Sequence, residues 1–255
     1  MADQETNRER DQELDQERRI VVGTNGPYRV SGPVRVIRTK IVETEYGEPI
    51  AWDEGPEFTA PSSRVELCRC GRSSNKPFCD ATHEREPFDG TERADRGPSA
   101  ERRIVYEGDG VTMTDDRDYC THAGFCGDRF TTVWVMIHQT DDPEVRARLM
   151  DMVSKCPSGR LAYSVPPEPA DVEPVFDPPS IGIEPNGPIW VRGGIRVESE
   201  DGSAYEVRNR VTLCRCGRSR NKPFCDGSHK FVGFEDPAIP RVAAKAGGVS
   251  SDATA

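Results

Sequence analysis

The chain has 255 residues, a formal net charge of -10 and a sequence pI near 5.1. Its hydrophobic content of 35% and aromatic content of 7% argue against one large core and favour two or three small domains. The acidic balance argues against nucleic acid as a partner, because a phosphate backbone would be repelled. No apolar run is long enough to span a bilayer and the first twenty residues lack the apolar core of a signal peptide, so we expect no membrane association and a cytoplasmic location.

The nine cysteines indicate metal binding rather than disulfide bonding. A reducing cytosol disfavours disulfides, and an odd number of cysteines would leave one without a partner. The cysteines fall into three groups of three along the chain, which suggests three metal sites.

The first module is predicted to span residues 21–98, after a charged tail at residues 1–20 that has no apolar face to bury. It opens with NGPYRVSGPVRV at Asn25 to Val36, where a turn leads into an alternating segment typical of a half-buried strand. The acidic stretch TEYGEPIAWDEGPEF that follows is predicted to be a surface loop.

The module then carries LCRCGRSSNKPFCDATH from Leu67 to His83, in which three cysteines and one histidine are possible metal ligands. A structural zinc site usually spaces a cysteine pair by two to four residues, whereas Cys-x-Cys is less common there. A two-iron cluster needs two ligands for each iron, which the Cys-x-Cys pair and the Cys-x3-His pair could supply. Both interpretations stay open on spacing alone, and a short helix is predicted to open near Lys76-Pro77.

A different unit is predicted for residues 99–166. RRIVYEG and VTMTDD alternate like two strands, and a helix is predicted with Asp142 as N-cap and Pro143 in its first position. RLAYSV then resumes as a strand. The helix places Val145, Leu149, Met152 and Val153 on one face, where they are expected to form a core.

Three cysteines of this central unit form a second kind of pattern. Cys120 and Cys126 are separated by THAGF, and Cys156 follows after twenty-nine intervening residues and stands before Pro157. The spacing resembles a bacterial ferredoxin motif that has lost one cysteine, with Ala123 in the vacant position. Three ligands suit a [3Fe-4S] cluster, and a [4Fe-4S] cluster would need a fourth such as His122. The alternatives are three buried cysteines or a Cys3His zinc site. His138, in an apolar run, is expected to be a core residue without function.

A proline-rich linker at residues 167–180 leads to a second module at residues 181–237, and a flexible tail is predicted at residues 238–255. The second module repeats the turn and strand as NGPIWVRGGIRV and the cysteine segment as LCRCGRSRNKPFCDGSH. Each possible ligand recurs at an offset of 146, and a second helix is predicted to open near Lys222-Pro223. The ligand candidates of this copy are Cys214, Cys216, Cys225 and His229.

The pattern C-x-C-x2-S-x3-P-x-C-D-G-S-H resembles the signature of the CDGSH iron-sulfur family, the mitoNEET-like proteins. The second copy matches throughout, and the first departs only at Ala81 and Thr82. The resemblance implies a [2Fe-2S] cluster in each copy, ligated by Cys68, Cys70, Cys79 and His83 and by Cys214, Cys216, Cys225 and His229. It also implies strand pairing between two motif-bearing halves, here halves of one chain.

The stretches YCTHAGFC and CPSGRLAY resemble the divergent mono-cluster 4Fe-4S domain that often accompanies CDGSH motifs in bacteria. The two resemblances together imply an α+β fold, with small β-rich CDGSH modules as an intramolecular pseudo-dimer and an inserted ferredoxin-like α+β domain. A monomer with an internal pseudo-two-fold axis is expected.

The function expected from these features is an electron carrier with two [2Fe-2S] clusters and one [3Fe-4S] or [4Fe-4S] cluster. No nucleophile–base pair or phosphate loop is present, so we do not expect an enzyme. The acidic surface favours a redox partner, a reductase or oxygenase, with a basic docking patch. The alternatives are a redox or iron sensor, a protein that transfers clusters, and a zinc-stapled interaction module.

Overall fold

The structure is a computed structural model that describes residues 18–60 and 65–236. The predicted tail at residues 238–255 and most of the predicted tail at residues 1–20 lie outside this part of the chain. The first strand begins at Arg19, within the predicted tail, because Ile20 and Val22 are fully buried while Arg19 is exposed. The alternation of Arg19-Ile20-Val21-Val22 therefore already belongs to the sheet.

The described residues form twelve strands, three α-helices and short 3-10 turns. The strands are β1 (Arg19–Val22), β2 (Tyr28–Ser31), β3 (Arg35–Glu43), β4 (Pro49–Glu57), β5 (Val65–Leu67), β6 (Ile104–Gly108), β7 (Val111–Asp115), β8 (Leu161–Ser164), β9 (Ser180–Ile183), β10 (Ile189–Arg192), β11 (Arg196–Ser199) and β12 (Arg210–Leu213). The helices are α1 (Thr82–Arg85), α2 (Val133–Met136) and α3 (Pro143–Ser154), and the 3-10 turns are Ser99–Glu101, Arg117–Tyr119, Ile137–Gln139 and Ser228–Lys230.

Two sheets each combine strands from both ends of the chain. The first has the order β11-β1-β2-β5 and the second has the order β12-β10-β9-β3-β4. In the first sheet β1 runs parallel to β11, and in the second β3 runs parallel to β9, with Ile20 opposite Val197 and Val36 opposite Ile181. Because buried residues of both repeats then share one apolar cluster, neither repeat has a core of its own.

The acidic stretch of the first repeat forms the turn and the second strand of a β-hairpin, so the prediction of a surface loop was wrong. Strand β4 pairs antiparallel with the nine-residue β3, and the connecting turn is closed by Thr44 and Glu48. The stretch forms a strand because it carries Ile50 and Trp52 in alternating positions, which suits an edge strand whose other side faces solvent.

The central unit has the elements predicted for it. Strands β6, β7 and β8 form an antiparallel sheet, and α3 begins at Pro143 after Asp142, whose side chain accepts a 2.8 Å hydrogen bond from the Glu144 amide. Leu149 and Val153 are fully buried on the predicted face of α3. His138 contradicts its prediction: the apolar run before it forms helical turns rather than a strand, and its side chain is exposed.

The proline-rich linker has no regular secondary structure but is attached along the second module. Glu173 pairs with Arg210, and the Phe176 ring packs at 5.7 Å from the Trp190 ring. The longest helix, α3, has twelve residues, and within residues 18–60 and 65–236 no helix has the length and apolarity that a bilayer crossing requires.

Candidate metal centres

The first CDGSH-type motif brings its four ligand candidates together as two pairs. The Sγ atoms of Cys68 and Cys70 are 3.8 Å apart, and Cys79 Sγ is 3.5 Å from His83 Nδ1. Two thiolates at roughly 2.3 Å from one tetrahedral metal would be about 3.8 Å apart, and a thiolate and an imidazole about 3.5 Å apart. Each pair therefore has the separation that one metal atom requires.

The second motif reproduces this geometry. Cys214 Sγ and Cys216 Sγ are 3.8 Å apart, and Cys225 Sγ is 3.4 Å from His229 Nδ1. Across residues 18–60 and 65–236, no group of three or more His, Cys, Asp or Glu side chains converges on a single ion position. Two ligand pairs without a common centre fit two linked metal atoms better than one mononuclear zinc ion.

A shared backbone pattern positions the ligands. The Cys68 amide donates to Pro77 O at 2.8 Å and the Cys79 amide donates to Glu66 O at 2.8 Å, so the loop closes onto β5. Ser73 Oγ donates to Phe78 O at 2.6 Å inside the loop. The second motif repeats these bonds with Cys214, Cys225 and Ser219 as donors.

The helices predicted to open at the Lys-Pro dipeptides are absent, and that prediction was wrong. Lys76-Pro77 and Lys222-Pro223 are cis peptides in the turn before the third cysteine. The helical segments begin later, with α1 at Thr82 in the first motif and the 3-10 turn at Ser228 in the second. A trans proline fits the first turn of a helix. Pro77 and Pro223 are instead cis and lie in tight turns.

The arginines of the motifs differ in environment. Arg69 and Arg215 are each 1% exposed, and both bond to loop carbonyls, with Arg69 Nη1 2.9 Å from Gly23 O and Arg215 Nε 3.0 Å from Gly187 O. Arg218 and Arg220 are exposed. Arg215 also pairs with the buried carboxylate of Asp236, which balances its positive charge, whereas Arg69 bonds the carbonyls of Gly23 and Gly90.

One thiol of each cysteine pair is predisposed to ionise. Hydrogen bonding from Cys70 lowers the pKa of Cys68, and hydrogen bonding from Cys216 lowers the pKa of Cys214. Burial, followed by the charges of Lys230 and Arg215, lowers the pKa of His229 to about 4. The partner thiols shift the other way, because hydrogen bonding to the first thiol and burial raise the pKa of Cys70 and of Cys216, so without metal each pair favours a single thiolate.

The two histidines are not equally accessible. The side chain of His83 is 14% exposed, and Cys79 is also only partly covered. His229 is buried, because the central unit covers it: an added Cβ on the neighbouring Gly227 would lie 2.6 Å from the His122 ring. His229 is thus more covered than His83, although it lines a cleft of about 740 Å³ together with Glu184 and Lys230.

The three central cysteines surround a cavity. Cys120, Cys126 and Cys156 line a space of about 170 Å³, together with Ala123 and Arg160. Arg160 Nη1 donates to Cys120 Sγ at 2.9 Å and its other nitrogens bond Asp115. Three cysteines packed in a core would leave no space between their thiols. Here the three thiols face a cavity, which fits a cluster held by three residues. His122 also lines the cavity.

An aromatic contact that the sequence did not indicate holds the central unit against the sheets. The Trp52 ring lies 4.4 Å from the Trp190 ring and 5.2 Å from the Phe125 ring, and Trp52 Nε1 donates to Lys155 O at 3.0 Å. Glu48 pairs with Arg129 at 3.1 Å at the hairpin tip. The hairpin formed by β3 and β4 thus holds the loop between Cys120 and Cys126 in place. The sequence signal for this contact is Trp52 together with Ile50 two positions before it, in a segment that is otherwise largely acidic.

Two protein families match segments of the chain. A family described as the iron-binding zinc finger of CDGSH type matches residues 25–84 and residues 186–230, and a family described as the divergent 4Fe-4S mono-cluster matches residues 106–166. No curated protein matched the chain. All eleven predicted ligands fall inside these segments. The chain therefore carries two segments that match the CDGSH-type iron-binding family and, between them, one segment that matches the divergent 4Fe-4S mono-cluster family.

Proposed function

We propose that the protein carries electrons through three iron-sulfur clusters. A [2Fe-2S] cluster would be held by Cys68, Cys70, Cys79 and His83, and a second by Cys214, Cys216, Cys225 and His229. Cys120, Cys126 and Cys156 would hold a [3Fe-4S] cluster, or a [4Fe-4S] cluster with a further ligand such as His122. The observation that carries the proposal is the division of each CDGSH ligand set into two pairs at single-metal distance.

The arrangement of the repeats supports an intramolecular pseudo-dimer in a monomeric protein. Each of the two sheets contains a parallel pair of strands, one from each repeat. The central unit would then be an inserted ferredoxin-like domain whose cluster adds a third redox site. In each ligand loop the neighbouring cysteine and histidine would both be occupied by metal, which would leave neither free to act as nucleophile or base and supports a carrier rather than an enzyme.

The residues around the sites supply what electron transfer needs from the protein. They would bind the metals, exclude water from Cys214, Cys216 and Cys225, and hold the buried guanidinium group of Arg69 against backbone carbonyls near the first ligand loop. A positive charge near a cluster stabilises the additional electron and raises the reduction potential. The clusters would supply the one-electron chemistry.

The net charge supports docking, in the cytoplasm, to a reductase or oxygenase with a basic patch.

The surface beside Cys70 is basic, unlike the acidic chain as a whole. A cleft of about 620 Å³ there is lined by five basic side chains and one acidic side chain: Arg72, Arg93, Arg218, Arg220, Lys222 and Asp89. Replacing Arg218 and Arg220 with Glu, and comparing the salt dependence of reduction by a candidate partner, distinguishes docking at the cleft from docking at the acidic surface.

Anaerobic purification with iron, zinc and sulfide analysis tests the proposal. We expect iron and acid-labile sulfide matching two [2Fe-2S] clusters and one larger cluster, and reversible one-electron reduction in a potentiometric titration followed by EPR. Stoichiometric zinc without sulfide would instead support the zinc-stapled module.

A second candidate is a sensor or donor of clusters, and the openness of the first site favours it. Cys79 and His83 are partly exposed whereas their counterparts Cys225 and His229 are buried. A donor would transfer the first cluster to an apo acceptor much faster than the second. Retention of both clusters in the presence of an apo acceptor, with rapid electron exchange, supports the carrier.

A further inference from the structure

The loop that follows Cys120 reaches directly into the second CDGSH-type site. The Thr121 hydroxyl donates a 3.3 Å hydrogen bond to Cys225 Sγ, and Thr121 is 4% exposed. Thr121 is joined by one peptide bond to Cys120, a ligand candidate of the central site. The path from a central ligand to a ligand of the second motif is therefore a single residue and one hydrogen bond.

We propose that Thr121 is the bridge through which the central site and the second CDGSH site exchange electrons, so that the three sites form the ordered series central, second, first. This inference rests on the proposed electron-carrier function. The exchange moves one electron: the central site is oxidised by one electron as the second is reduced by one. No covalent bond forms or breaks, and the hydroxyl proton stays on Thr121.

Other contacts fix the loop on the second motif. Asn221 Nδ2 donates to Asp118 O at 2.7 Å, and the Tyr119 ring packs 4.7 Å from the Phe224 ring. The ammonium of Lys230 bonds the carbonyl of His122. Because these contacts flank Thr121 on both sides, its hydroxyl is held toward Cys225 rather than free to rotate into solvent.

The first motif has no matching bridge from the central unit. Among residues 18–60 and 65–236, the Sγ atoms of Cys68 and Cys70 contact each other, and the hydrogen bonds of Cys79 Sγ are to His83 and Ala81 of its own motif. The two motifs instead meet through their loops: an added Cβ on Gly71 would lie 2.6 Å from Cys216 O, and one on Gly217 would lie 2.6 Å from Cys70 O.

The order of the series follows from these contacts. The central site adjoins the second motif through Thr121, and the second adjoins the first through the two glycines. The first motif is also the one whose third cysteine and histidine are partly exposed. The three central cysteines are partly exposed as well, so a redox partner can approach at either end of the series.

Thr121 also affects the potential of the second site. Reduction adds negative charge to a cluster and its sulfur ligands, so a hydrogen bond donated to Cys225 Sγ stabilises the reduced state. Thr121→Val keeps the shape of the side chain and removes the donor. We expect the reduction potential of the second site to fall by up to about 59 mV, a roughly tenfold change in the one-electron equilibrium, with no change at the first site.

The experiment compares the full-length wild type with Thr121→Val, Thr121→Ser and Thr114→Val, the last of which alters a buried threonine of β7 outside the motifs. All four proteins carry His83→Cys, so that the first site has its own EPR signal. The reference protein has no further substitution. Iron and sulfide are measured first. Each site is then titrated by EPR, and electron redistribution after partial photoreduction is followed by rapid freezing.

We expect Thr121→Val to slow electron arrival at the second site several-fold and to lower its potential, while Thr121→Ser and Thr114→Val behave as the wild type. Unchanged rates and potentials in a fully loaded Thr121→Val protein overturn the inference and leave the proposed function intact. Absence of iron and sulfide from the wild type overturns both.

A measurement on the wild type covers the case in which Thr121→Val does not assemble. The paramagnetic central site should enhance the spin relaxation of the reduced second site more strongly than that of the first. Equal enhancement at the two sites, or stronger enhancement at the first, contradicts the proposed order.

Discussion

Gly71 lies against the carbonyl group of Cys216, so close that a Cβ on Gly71 would be 2.6 Å from Cys216 O. Gly217 has the same relationship to Cys70 O, and both glycines have a positive φ, +80° and +76°. The two ligand loops thus touch through backbone alone, and each loop is the support of the other. Any side chain at these positions would separate them.

Substituting either glycine by alanine is expected to destabilise the fold and to impair both CDGSH sites. A left-handed alanine costs about 1–2 kcal/mol, and the contact with the opposite carbonyl adds to that cost. Urea unfolding of Gly71→Ala should therefore show a loss above about 2 kcal/mol together with lower iron content.

Gly202→Ala is the matched control. Gly202 has a φ of +86° but no heavy atom within 4 Å of the added Cβ. It should show only the conformational cost of about 1–2 kcal/mol, with full iron content. Equal losses in Gly71→Ala and Gly202→Ala would show that the loops do not support each other.

Ala81 offers a stabilising substitution at one of the two places where the first motif departs from the second just before its histidine. Ala81 adopts φ 60° and ψ 16°, the left-handed conformation that Gly227 adopts in the second motif. Ala81→Gly removes the clash of the Cβ with the backbone in this left-handed conformation. We therefore expect the free energy of unfolding in urea to rise by about 1 kcal/mol. A neutral or destabilising result would contradict the strained conformation.

The reverse change, Gly227→Ala, adds a contact as well as strain. Its Cβ would lie 2.6 Å from His122 Cδ2, so it should destabilise by more than Ala81→Gly stabilises. Removing the ring with His122→Ala should recover part of that loss. A double-mutant cycle of Gly227→Ala and His122→Ala measures this coupling, and strict additivity would show that the two residues do not touch.

The ligands of the sites could be predicted from the sequence because their spacing is local. Cys79 and His83 are one helical turn apart, and the repeat at a fixed offset restricts what the pattern can mean. The strands and the capped helix of the central unit could be predicted for the same reason, since alternation and N-caps are also local signals.

The contacts between units could not be predicted, because they join distant residues through single side chains. Thr121 and Cys225 are 104 positions apart, and the Trp52 indole donates to a carbonyl 103 positions away. Neither residue belongs to a periodic pattern. The exposed His138 shows the opposite error, since an apolar run of that length suits a buried strand as well as short helical turns.

Replacing Cys120, Cys126 and Cys156 together with Ser is expected to remove one paramagnetic species and leave the [2Fe-2S] spectrum. The three side chains line a separate cavity, and none of them belongs to a CDGSH ligand pair. Iron and sulfide analysis with EPR measures the change. Unchanged iron and sulfide content would show that the central unit holds no cluster.

Glu184 is expected to make stability depend on pH. Burial raises the pKa of Glu184 to about 7, against the attraction of Lys230 and Arg215 and with a small contribution from Glu43 in the same direction. The unfolded carboxyl ionises at its ordinary value of 4.5, so between these values the folded state binds more protons. Stability from this group is therefore full below pH 4.5 and is lost as pH rises to about 7.

Glu184→Gln should flatten this dependence. We expect the variant to exceed the wild type at about pH 8 by on the order of 1–3 kcal/mol in urea unfolding, and to approach it at about pH 5. Glu45→Gln, which alters an exposed carboxylate of the hairpin turn, is the control and should leave the dependence unchanged. A parallel pH profile for Glu184→Gln and wild type would contradict the raised pKa.

The last prediction concerns the two histidine ligands. Replacing a neutral imidazole by a thiolate adds negative charge at the metal, so His83→Cys and His229→Cys should each lower the reduction potential of their own site. The same change should slow the loss of that cluster in mild acid, because a proton competes with iron for an imidazole nitrogen more readily than for a bound thiolate. Potentiometry and the decay of visible absorbance measure the two effects, one variant at a time.

The two sites should not respond equally to acid. Burial lowers the pKa of His229 to about 4, whereas the His83 side chain is 14% exposed and open to solvent. Protons therefore reach and occupy the first site more easily, and wild-type absorbance should decay in two phases as the pH falls. His83→Cys should remove the faster phase and His229→Cys the slower one. A single phase that neither variant alters would show that the histidines are not the ligands through which acid releases the clusters.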